Sequence, residues 1–328
     1  MRPWVEQRFG PLEAVQRQRI VKVTNLATLD GALFNELRSC RPVEVRDNGD
    51  LHETIAKSVG DPFCKPLTGT PEDTFGRVKG KQCITASNIA KYDGYHGLVI
   101  FDEHDPLRFD ALAIADYFET ALAWADEARR LDPRAVYFFL MWNCLWKSGA
   151  SIVHGHQQMT LSRDMHYARI EAWRRAALAY LEQHGANLFD DLYEAHRDVG
   201  LAWERDGVRC LAYLAPIKEK EVLLLSASLD CRLAGAVYRV LEGMVRGMGV
   251  RSFNLAVYMP PLARVTEDWS GFPVMVRIVD RGDVNNRVAD FGAMELYASS
   301  VVSSDPWLVA AALMPCFALR EEMVPAGA

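Results

Sequence analysis

A polar stretch between two apolar runs constrains the fold more than any other part of the chain. Residues 143–158 read NCLWKSGASIVHGHQQ, with an apolar run over 135–142 before them and β-rich spacing over 152–160 after them. This order predicts a strand, a polar loop and a second strand. Because side chains alternate between the two faces of a strand, His154, His156 and Gln158 are expected to share one face.

Two imidazoles and an amide on one face suit phosphate chemistry. Imidazole is largely neutral near pH 7, so it can attack phosphorus and form a covalent intermediate that a second acceptor resolves. The preceding Ser148, Gly149 and Ser151 supply hydroxyls and a closely approaching backbone, and Lys147 adds a positive charge. These are the ingredients of an anion-binding loop.

Two other interpretations of the His154, His156 and Gln158 pattern stay open. His-x-His is also a common spacing of metal ligands, and a metal-dependent enzyme would use His154 and His156 in that way. Alternatively, both rings are satisfied structural residues beside a turn that contains glycine. The sequence does not by itself separate these two from the phosphate chemistry.

The row and its loop together resemble the active-site motif of the histidine-triad superfamily. The motif comprises an asparagine, a Ser-Gly-Ala-Ser loop and a His-x-His-x-Gln row, here Asn143, residues 148–151, His154, His156 and Gln158. The resemblance is closest to the branch of galactose-1-phosphate uridylyltransferase and diadenosine tetraphosphate phosphorylase, where glutamine replaces the third histidine. It implies that His156 is the nucleophile, that His154 supports it, and that Gln158, Ser151 and Asn143 contact phosphates and the nucleophile.

The region before the motif adds candidate phosphate ligands. Three cationic residues recur at every second position, Arg77, Lys79 and Lys81. On a strand they would face a polyphosphate together, or else form a solvated edge that resists aggregation. Asn88 and Lys91 are similar in layout to the segment that lies along the nucleotide in the phosphorylases of the branch. His96 either faces the site or is an ordinary core residue.

The resemblance also concerns a metal. Residues 101–107 are similar to the uridylyltransferase segment that supplies one histidine ligand of a structural zinc ion, and His104 is the matching residue. The cysteine pair that completes that zinc site in the family is absent, and Cys40 alone lies at about the right distance. Either zinc is bound with His104 as a ligand, or His104 only caps the helix that follows.

The order of elements predicts an α+β fold with an internal repeat. Strands, a helix over 109–130 and two more strands precede residue 165, and strands, a helix over 232–248 and two more strands follow. We therefore expect two halves like the histidine-triad fold, 1–165 and 166–328, each with an antiparallel sheet and flanking helices. In the lead-in, residues 19–25 are expected to form a strand and residues 30–37 a short helix.

The second half is expected to lack a nucleophile. Its counterpart of the histidine strand is 272–279, and no histidine follows His196. One active site per chain follows. Glu221 and the segment 290–296 resemble parts of the uridylyltransferase pattern. Three arginines lie near them, any one of which would suit a phosphate or simply be solvated: Arg277, Arg281 and Arg287.

Composition limits the partners. The chain has 328 residues, a hydrophobic half and a net charge of −6, so nothing indicates nucleic acid or an anionic membrane as a partner. No apolar run approaches the length of a membrane span, and the first residues lack a signal-peptide core. Seven cysteines without a C-x-x-C pair favour reduced thiols in a cytoplasmic protein. The resemblance favours a homodimer.

Taken together, the motif predicts a nucleotidyltransferase that works by double displacement. A nucleotidyl-His156 intermediate would move a nucleoside monophosphate between a nucleotide sugar of the UDP-glucose type and a sugar 1-phosphate. The alternative is a phosphorylase or hydrolase of a dinucleoside polyphosphate or nucleotide sugar. A more distant alternative is a nucleotide-binding protein without catalysis. No cofactor is required by this chemistry, apart from the zinc ion that the resemblance raises.

Overall fold

A nine-stranded antiparallel sheet is the centre of the computed structural model, which describes residues 2–40 and 49–318. The strands of the chain are β1 (Val21–Thr24), β2 (Gly31–Phe34), β3 (Cys83–Ser87), β4 (Tyr95–Phe101), β5 (Tyr137–Cys144), β6 (His156–Ser162), β7 (Ala202–Arg205), β8 (Val208–Ala212), β9 (Val222–Ser226), β10 (Phe253–Tyr258), β11 (Val274–Asp280) and β12 (Ser300–Val302). The large sheet has the order β3-β4-β6-β5-β10-β11-β9-β8-β7.

Helices pack on both faces of this sheet. The helices of the described ranges are α1 (Arg2–Phe9), α2 (Leu12–Gln16), α3 (Leu51–Lys57), α4 (Pro66–Gly69), α5 (Ala111–Leu131), α6 (Ala168–His184), α7 (Leu188–Asp198), α8 (Cys231–Glu242), α9 (Ala293–Tyr297) and α10 (Pro306–Ala318). Shorter helical turns are Glu36–Cys40, Pro62–Cys64 and Trp146–Ser148, and a π-helical turn, Gly243–Gly247, continues α8. Within the described ranges no helix is both long and apolar enough to cross a bilayer.

The predicted α+β fold and its internal repeat are confirmed. From the centre of the sheet outward, the first half contributes β5, β6, β4 and β3, and the second contributes β10, β11, β9 and β8 in the same pattern. A long helix leads from the third of these strands back to the first in each half, α5 from β4 to β5 and α8 from β9 to β10. The halves share one sheet because β5 pairs with β10, placing Asn143 opposite Asn254. The boundary at residue 165 stays a prediction.

The lead-in differs from the sequence expectation. The strand predicted over 19–25 is confirmed as β1, but the helix predicted over 30–37 is wrong, since these residues contain β2. β2 pairs with β1 and, in parallel, with β12 near the other end of the chain. Pairing partners so distant in sequence outweigh local helix preference, which is weak over so short a segment.

The large core lies on the face of the sheet that α5, α8 and α10 cover. It includes Trp124, Trp142, Val237 and Leu313, none of which is exposed. On the other face, α6 and α7 cover the second half through a smaller core around Trp173. Over the first half, this second face carries only a small apolar cluster of Phe63, Ala86, Leu98 and Ile100. The alternation along β6 decides which side chains reach that thinly covered face.

Candidate active site

β6 carries two chemically active side chains on the thinly covered face. Met159 and Leu161 point into the core under α5, so His156 and Gln158 point to the opposite face. Both are buried, with 5% and 8% of their surface exposed. The strand begins at His156, so the expectation that His154 lies in the same strand is wrong.

Residue 155 bonds both to the last residue of β4 and to the turn that follows β4. The Gly155 carbonyl accepts from the Phe101 N–H at 3.0 Å, and the Gly155 N–H donates to the His104 carbonyl at 3.1 Å. A Cβ atom at Gly155 would lie 2.5 Å from the Phe101 ring, so only glycine permits this approach. As a result the His154 ring turns toward His104, while His156 remains on the sheet face.

The environment of His156 selects the tautomer that a nucleophile needs. Its Nδ1 lies 2.8 Å from the carbonyl oxygen of His154, and a carbonyl can only accept, so Nδ1 carries the proton. Nε2 therefore keeps its lone pair. Burial lowers the pKa of His156, which keeps the ring neutral near pH 7. The ring of Phe63 packs edge-on at 5.1 Å and limits the positions the imidazole can take.

The predicted phosphate loop follows β5 as a tight turn. Leu145 has a φ of 68°, the helical turn Trp146–Ser148 follows, and Gly149 has a φ of 100°, in the left-handed region that favours glycine. The Ser148 hydroxyl donates to the Leu145 carbonyl at 2.7 Å, so this buried serine holds the turn in shape. Ser151 is exposed at the end of the loop.

Side chains of the second half hold this loop in place through hydrogen bonds. Asn143 accepts a hydrogen bond from the Asn254 side chain at 2.6 Å, and the same Asn254 nitrogen donates to the Ser148 carbonyl at 3.0 Å. Arg281 donates to the Asn254 side chain and pairs with both carboxylate oxygens of Asp290 at 2.8 Å. Arg281 is therefore a support of the loop, a role that its place in the sequence did not indicate.

Lys147 and Arg77 are held by protein groups. The Lys147 ammonium donates to the carbonyls of Asn286, at 2.7 Å, and Val288. The Arg77 guanidinium donates to the carbonyls of Pro66, Thr70 and Thr85 and to the Thr70 hydroxyl. Both side chains fasten loops together in this structure, and their contact with a phosphate stays a prediction.

Asn88 and Lys91 lie in the loop between β3 and β4, beside the sheet face of the site. Lys91 is exposed and donates to the Ser87 hydroxyl at 3.3 Å. Asn88 Nδ2 lies 3.3 Å from Nε2 of His96, and the same Nε2 lies 3.0 Å from Oε1 of Gln158. His96 thus lies between Asn88 and Gln158.

A second cluster lies next to His156. Asp61, Cys64, His104 and His154 each present one ligand atom, and these four atoms all lie within 4.8 Å of one another. His104 Nδ1 and His154 Nδ1 are 3.0 Å apart, and the Cys64 sulfur is 3.3 and 3.5 Å from them. Two nitrogens, a sulfur and a carboxylate are a donor set that suits tetrahedral zinc.

The positions of the protons on the two histidine rings favour a cation in this cluster. Nε2 of His154 lies 2.8 Å from the Phe101 carbonyl and Nε2 of His104 lies 3.2 Å from the Ile55 carbonyl, so both Nε2 atoms carry protons. Two neutral rings in that tautomer direct two lone pairs at each other across 3.0 Å. A metal ion or a proton between the two nitrogens relieves the repulsion of their lone pairs. Donation of the far N–H to a backbone carbonyl is also typical of metal-bound histidine.

Asp61 fits the same interpretation. Its Oδ1 accepts from the N–H groups of Phe63 and Cys64, at 2.8 and 3.2 Å. Its Oδ2 is buried, and across the described residues no hydrogen-bond partner reaches it. A buried carboxylate oxygen without a partner is costly unless a cation or water satisfies it. The residues present therefore fit a bound metal ion.

The cluster corrects the sequence expectation about the cysteine. Cys64, and not Cys40, lies beside His104, while Cys40 is exposed at the end of the turn Glu36–Cys40. The segment DPFC, residues 61–64, has the spacing of a C-x-x-C pair with aspartate in the first position. That spacing was the signal that sequence reasoning overlooked. The expectation that His104 only caps α5 is also wrong, because Asp110 is the cap.

Comparison with known proteins agrees with the fold. No protein-family model and no curated protein sequence matches the chain. An ADP-glucose phosphorylase from Arabidopsis thaliana, solved with ADP-glucose bound, superposes with a TM-score of 0.70 at 16% identity, covering 90% of this chain and 98% of that one. The chain has the fold of that phosphorylase. A uridylyltransferase superposes with a TM-score of 0.62 at 16% identity, covering 76% and 90% of the two chains.

A GalT-like protein from Arabidopsis thaliana superposes similarly, with a TM-score of 0.66 at 16% identity and coverage of 89% and 98%. The resemblance that the His-x-His-x-Gln row predicts is therefore confirmed at the level of the fold. All three proteins are covered over nine-tenths or more of their own length. The likeness thus extends through both halves of the chain.

In the second half, the counterpart of β6 has a different role. β11 carries Arg277, which pairs with Glu221 at 2.7 Å and with Asp30 at 3.3 Å, and 5% of the Arg277 side chain is exposed. Trp173, Tyr213 and Tyr258 surround the guanidinium within 6 Å. The two residues that the sequence offered as substrate contacts, Glu221 and Arg277, form a buried ion pair of the core.

This pair gives a stability prediction. Arg277→Met should destabilise the protein by about 3–5 kcal/mol, because Glu221 is left buried without its partner. The double variant Arg277→Met, Glu221→Leu should recover most of that loss, since it buries no charge. Chemical denaturation of both variants beside the parent measures the difference. A double variant as unstable as the single one would show that the pair does not act as argued.

Proposed function

We propose that the chain is a nucleotidyltransferase in which Nε2 of His156 carries a nucleoside monophosphate between two phosphate compounds. The observation that carries the proposal is the Nδ1–H of His156 bonded to the His154 carbonyl, which leaves a neutral, buried ring with its lone pair on Nε2. Gln158 lies two residues along the same strand face, and the loop after β5 supplies backbone and hydroxyl donors.

The first displacement forms one bond and breaks one. The Nε2 lone pair of His156 attacks the α-phosphorus of a nucleoside diphosphate sugar in line, and the bond from that phosphorus to the bridging oxygen breaks. The sugar phosphate leaves with the electron pair. In this step the ring becomes cationic, and the His154 carbonyl at 2.8 Å stabilises the Nδ1–H that carries part of the charge.

The second displacement reverses the first. A phosphate oxygen of the acceptor attacks the same phosphorus, the N–P bond breaks, and the lone pair returns to Nε2. Phosphate leaving groups need no proton, so no separate general acid is required. Donors that hold the non-bridging oxygens should carry much of the rate, and we assign this role to the Gln158 amide and the loop at 148–151.

The metal cluster is proposed as a structural zinc site. Asp61, Cys64, His104 and His154 would hold the ion, which would act by joining segments distant in sequence and by charge neutralisation behind the nucleophile. The His154 backbone carbonyl that bonds to His156 belongs to one of these ligands, so the cluster fixes the position of the acceptor that selects the tautomer. The metal takes no part in the displacement.

Two classes of donor and two classes of acceptor remain candidates. The neighbour solved with ADP-glucose favours a nucleoside diphosphate sugar as donor and inorganic phosphate as acceptor, which is a phosphorylase reaction. The uridylyltransferase neighbour favours a sugar 1-phosphate as acceptor. A dinucleoside polyphosphate donor is the further alternative. The homodimer and the cytoplasmic location expected from the sequence remain proposals.

Product analysis separates these reactions. ADP-glucose and UDP-glucose are each incubated with the protein and with phosphate, with galactose 1-phosphate, or with no acceptor. A nucleoside diphosphate formed only with phosphate identifies a phosphorylase, and a new nucleotide sugar formed only with galactose 1-phosphate identifies a transferase. Nucleoside monophosphate released without any acceptor identifies a hydrolase. No turnover of either donor or of diadenosine tetraphosphate under all three conditions would contradict the proposal.

A further inference from the structure

A buried histidine outside the motif contacts the glutamine of the site. His96 lies on β4 opposite Thr160 of β6, and its ring is fully buried on the same sheet face as Gln158. Its Nε2 lies 3.0 Å from the Gln158 Oε1. We propose that His96 is a positioning residue, which holds the Gln158 amide with its NH2 group toward the α-phosphate of the donor. This inference rests on the proposed function.

The hydrogen bonds around His96 determine where its proton lies. The Tyr92 backbone N–H points at Nδ1 from 3.0 Å, and an N–H can only donate, so Nδ1 must be unprotonated. In a neutral ring the proton is then on Nε2, where it donates to Gln158. Burial lowers the pKa of His96, which favours the neutral ring that this arrangement needs. Tyr92 stacks on the ring at 4.5 Å and shields it from water.

This proton distinguishes the two orientations of the Gln158 amide. A glutamine amide has nearly the same shape in both, but one end donates and the other accepts. With Oε1 toward His96, the NH2 group is left to face the phosphate oxygens, which can only accept. The flipped amide would bring two donors together at His96 and would turn a carbonyl oxygen toward a phosphate anion. Both His96 and the phosphate therefore disfavour the orientation of the Gln158 amide in which its NH2 group faces His96.

The same tautomer has a consequence for Asn88. Its Nδ2 is 3.3 Å from Nε2 of His96, the longest of the three contacts to the ring, and it cannot donate to a nitrogen that already carries a proton. Its Oδ1 is engaged by the Ala90 N–H at 3.0 Å. The His96 ring therefore does not accept the Asn88 amide protons, and the expectation that Asn88 lies along the nucleotide stays a prediction.

Two substitutions of His96 separate its hydrogen bond with Tyr92 from its hydrogen bond with Gln158. The amide of His96→Asn can take the place of Nδ1 and still accept from Tyr92, but it is too short to reach Gln158. The longer His96→Gln places an amide N–H near the position of Nε2 and can donate to Gln158. A purely structural histidine would be replaced about equally well, or equally badly, by both residues.

The expected results follow from this difference. In single-turnover labelling of His156 by a nucleoside diphosphate sugar, His96→Asn should slow labelling by roughly 10–100-fold, as expected when a transition-state donor is misplaced. His96→Gln should stay within about threefold of the parent, and donor affinity should change little in either. In a Gln158→Met background, His96→Asn should have no further effect. Equal rates for the two variants, or losses that follow melting temperature alone, would overturn the proposal.

A spectroscopic measurement tests the tautomer without any donor. The ¹⁵N chemical shifts of the histidine side chains distinguish a protonated Nε2 from a protonated Nδ1. His96 should show the Nε2–H form at neutral pH in the parent protein, and the Nδ1–H form would overturn the proposal. If the parent shows Nε2–H but is never labelled by any donor, the proposed function has failed and the role of His96 in it fails too. If the parent is labelled, the labelling rates of the two His96 variants, together with the tautomer, decide whether His96 positions Gln158.

Discussion

His156→Asn is expected to lower nucleotidyl transfer by on the order of 10⁴-fold or more, while the affinity for the donor changes little. Asparagine is close in size to the imidazole base and can still donate to the His154 carbonyl, but its amide has no nucleophilic lone pair. The loss should appear in kcat, because the residue acts on phosphorus and contributes little to holding the ground state. Steady-state turnover and equilibrium binding of the donor measure the two effects separately.

A histidine remote from the site supplies the control. His184 ends α6 and is exposed, so His184→Asn should leave turnover and donor affinity unchanged. Retained turnover in His156→Asn would rule out His156 as the nucleophile. Equal loss of donor affinity and turnover would indicate that His156 only binds the donor.

Loss of the metal cluster is expected to have the second largest effect. Purified protein should contain about one zinc ion per chain, and Cys64→Ser should lose it and melt on the order of 10 °C lower. The physical reason is that the ion joins the turn Pro62–Cys64 to the segment after β4 and the turn before β6, which are distant in sequence. Without the ion, two histidine lone pairs and a carboxylate are left to face each other. Metal analysis and thermal unfolding measure both effects without any substrate.

Cys40→Ser is the matched control, since Cys40 is exposed and lies outside the cluster. It should keep both the metal and the melting temperature of the parent. Chelation of the parent should reproduce the melting temperature of Cys64→Ser and should change Cys64→Ser itself very little. Full metal content in Cys64→Ser, or a metal-free parent with the same stability, would show that the cluster does not bind an ion.

The sequence predicted best what depends on local alternation. The strand pattern of residues 156–162 places His156 and Gln158 on one face, and the structure agrees, because successive side chains of a strand point to opposite faces. His154 departed from this pattern. Its neighbour Gly155 bonds to the segment at 101–104, and a contact between positions some 50 residues apart leaves no periodic signal.

The metal cluster and His96 show a second limit. Asp61 and Cys64 lie ninety residues or more before His154, and only the folded sheet brings the three together. The D-x-x-C spacing was readable, but aspartate is common in turns, where it caps backbone N–H groups as Asp61 also does here. For His96, strand position allowed either a core or a site role. Its role depends on which groups contact each ring nitrogen, and the tertiary fold determines which groups those are.

The most direct test of the central claim is the mass of the intact protein after brief exposure to a donor. UDP-glucose, ADP-glucose, GDP-mannose and diadenosine tetraphosphate are supplied separately to the parent and to His156→Asn. We expect one donor to add the mass of a single nucleoside monophosphate to the parent, in an acid-labile bond, and nothing to the variant. An adduct that persists in His156→Asn, or no adduct with any donor that is shown to bind, would contradict a nucleotidyl-histidine mechanism.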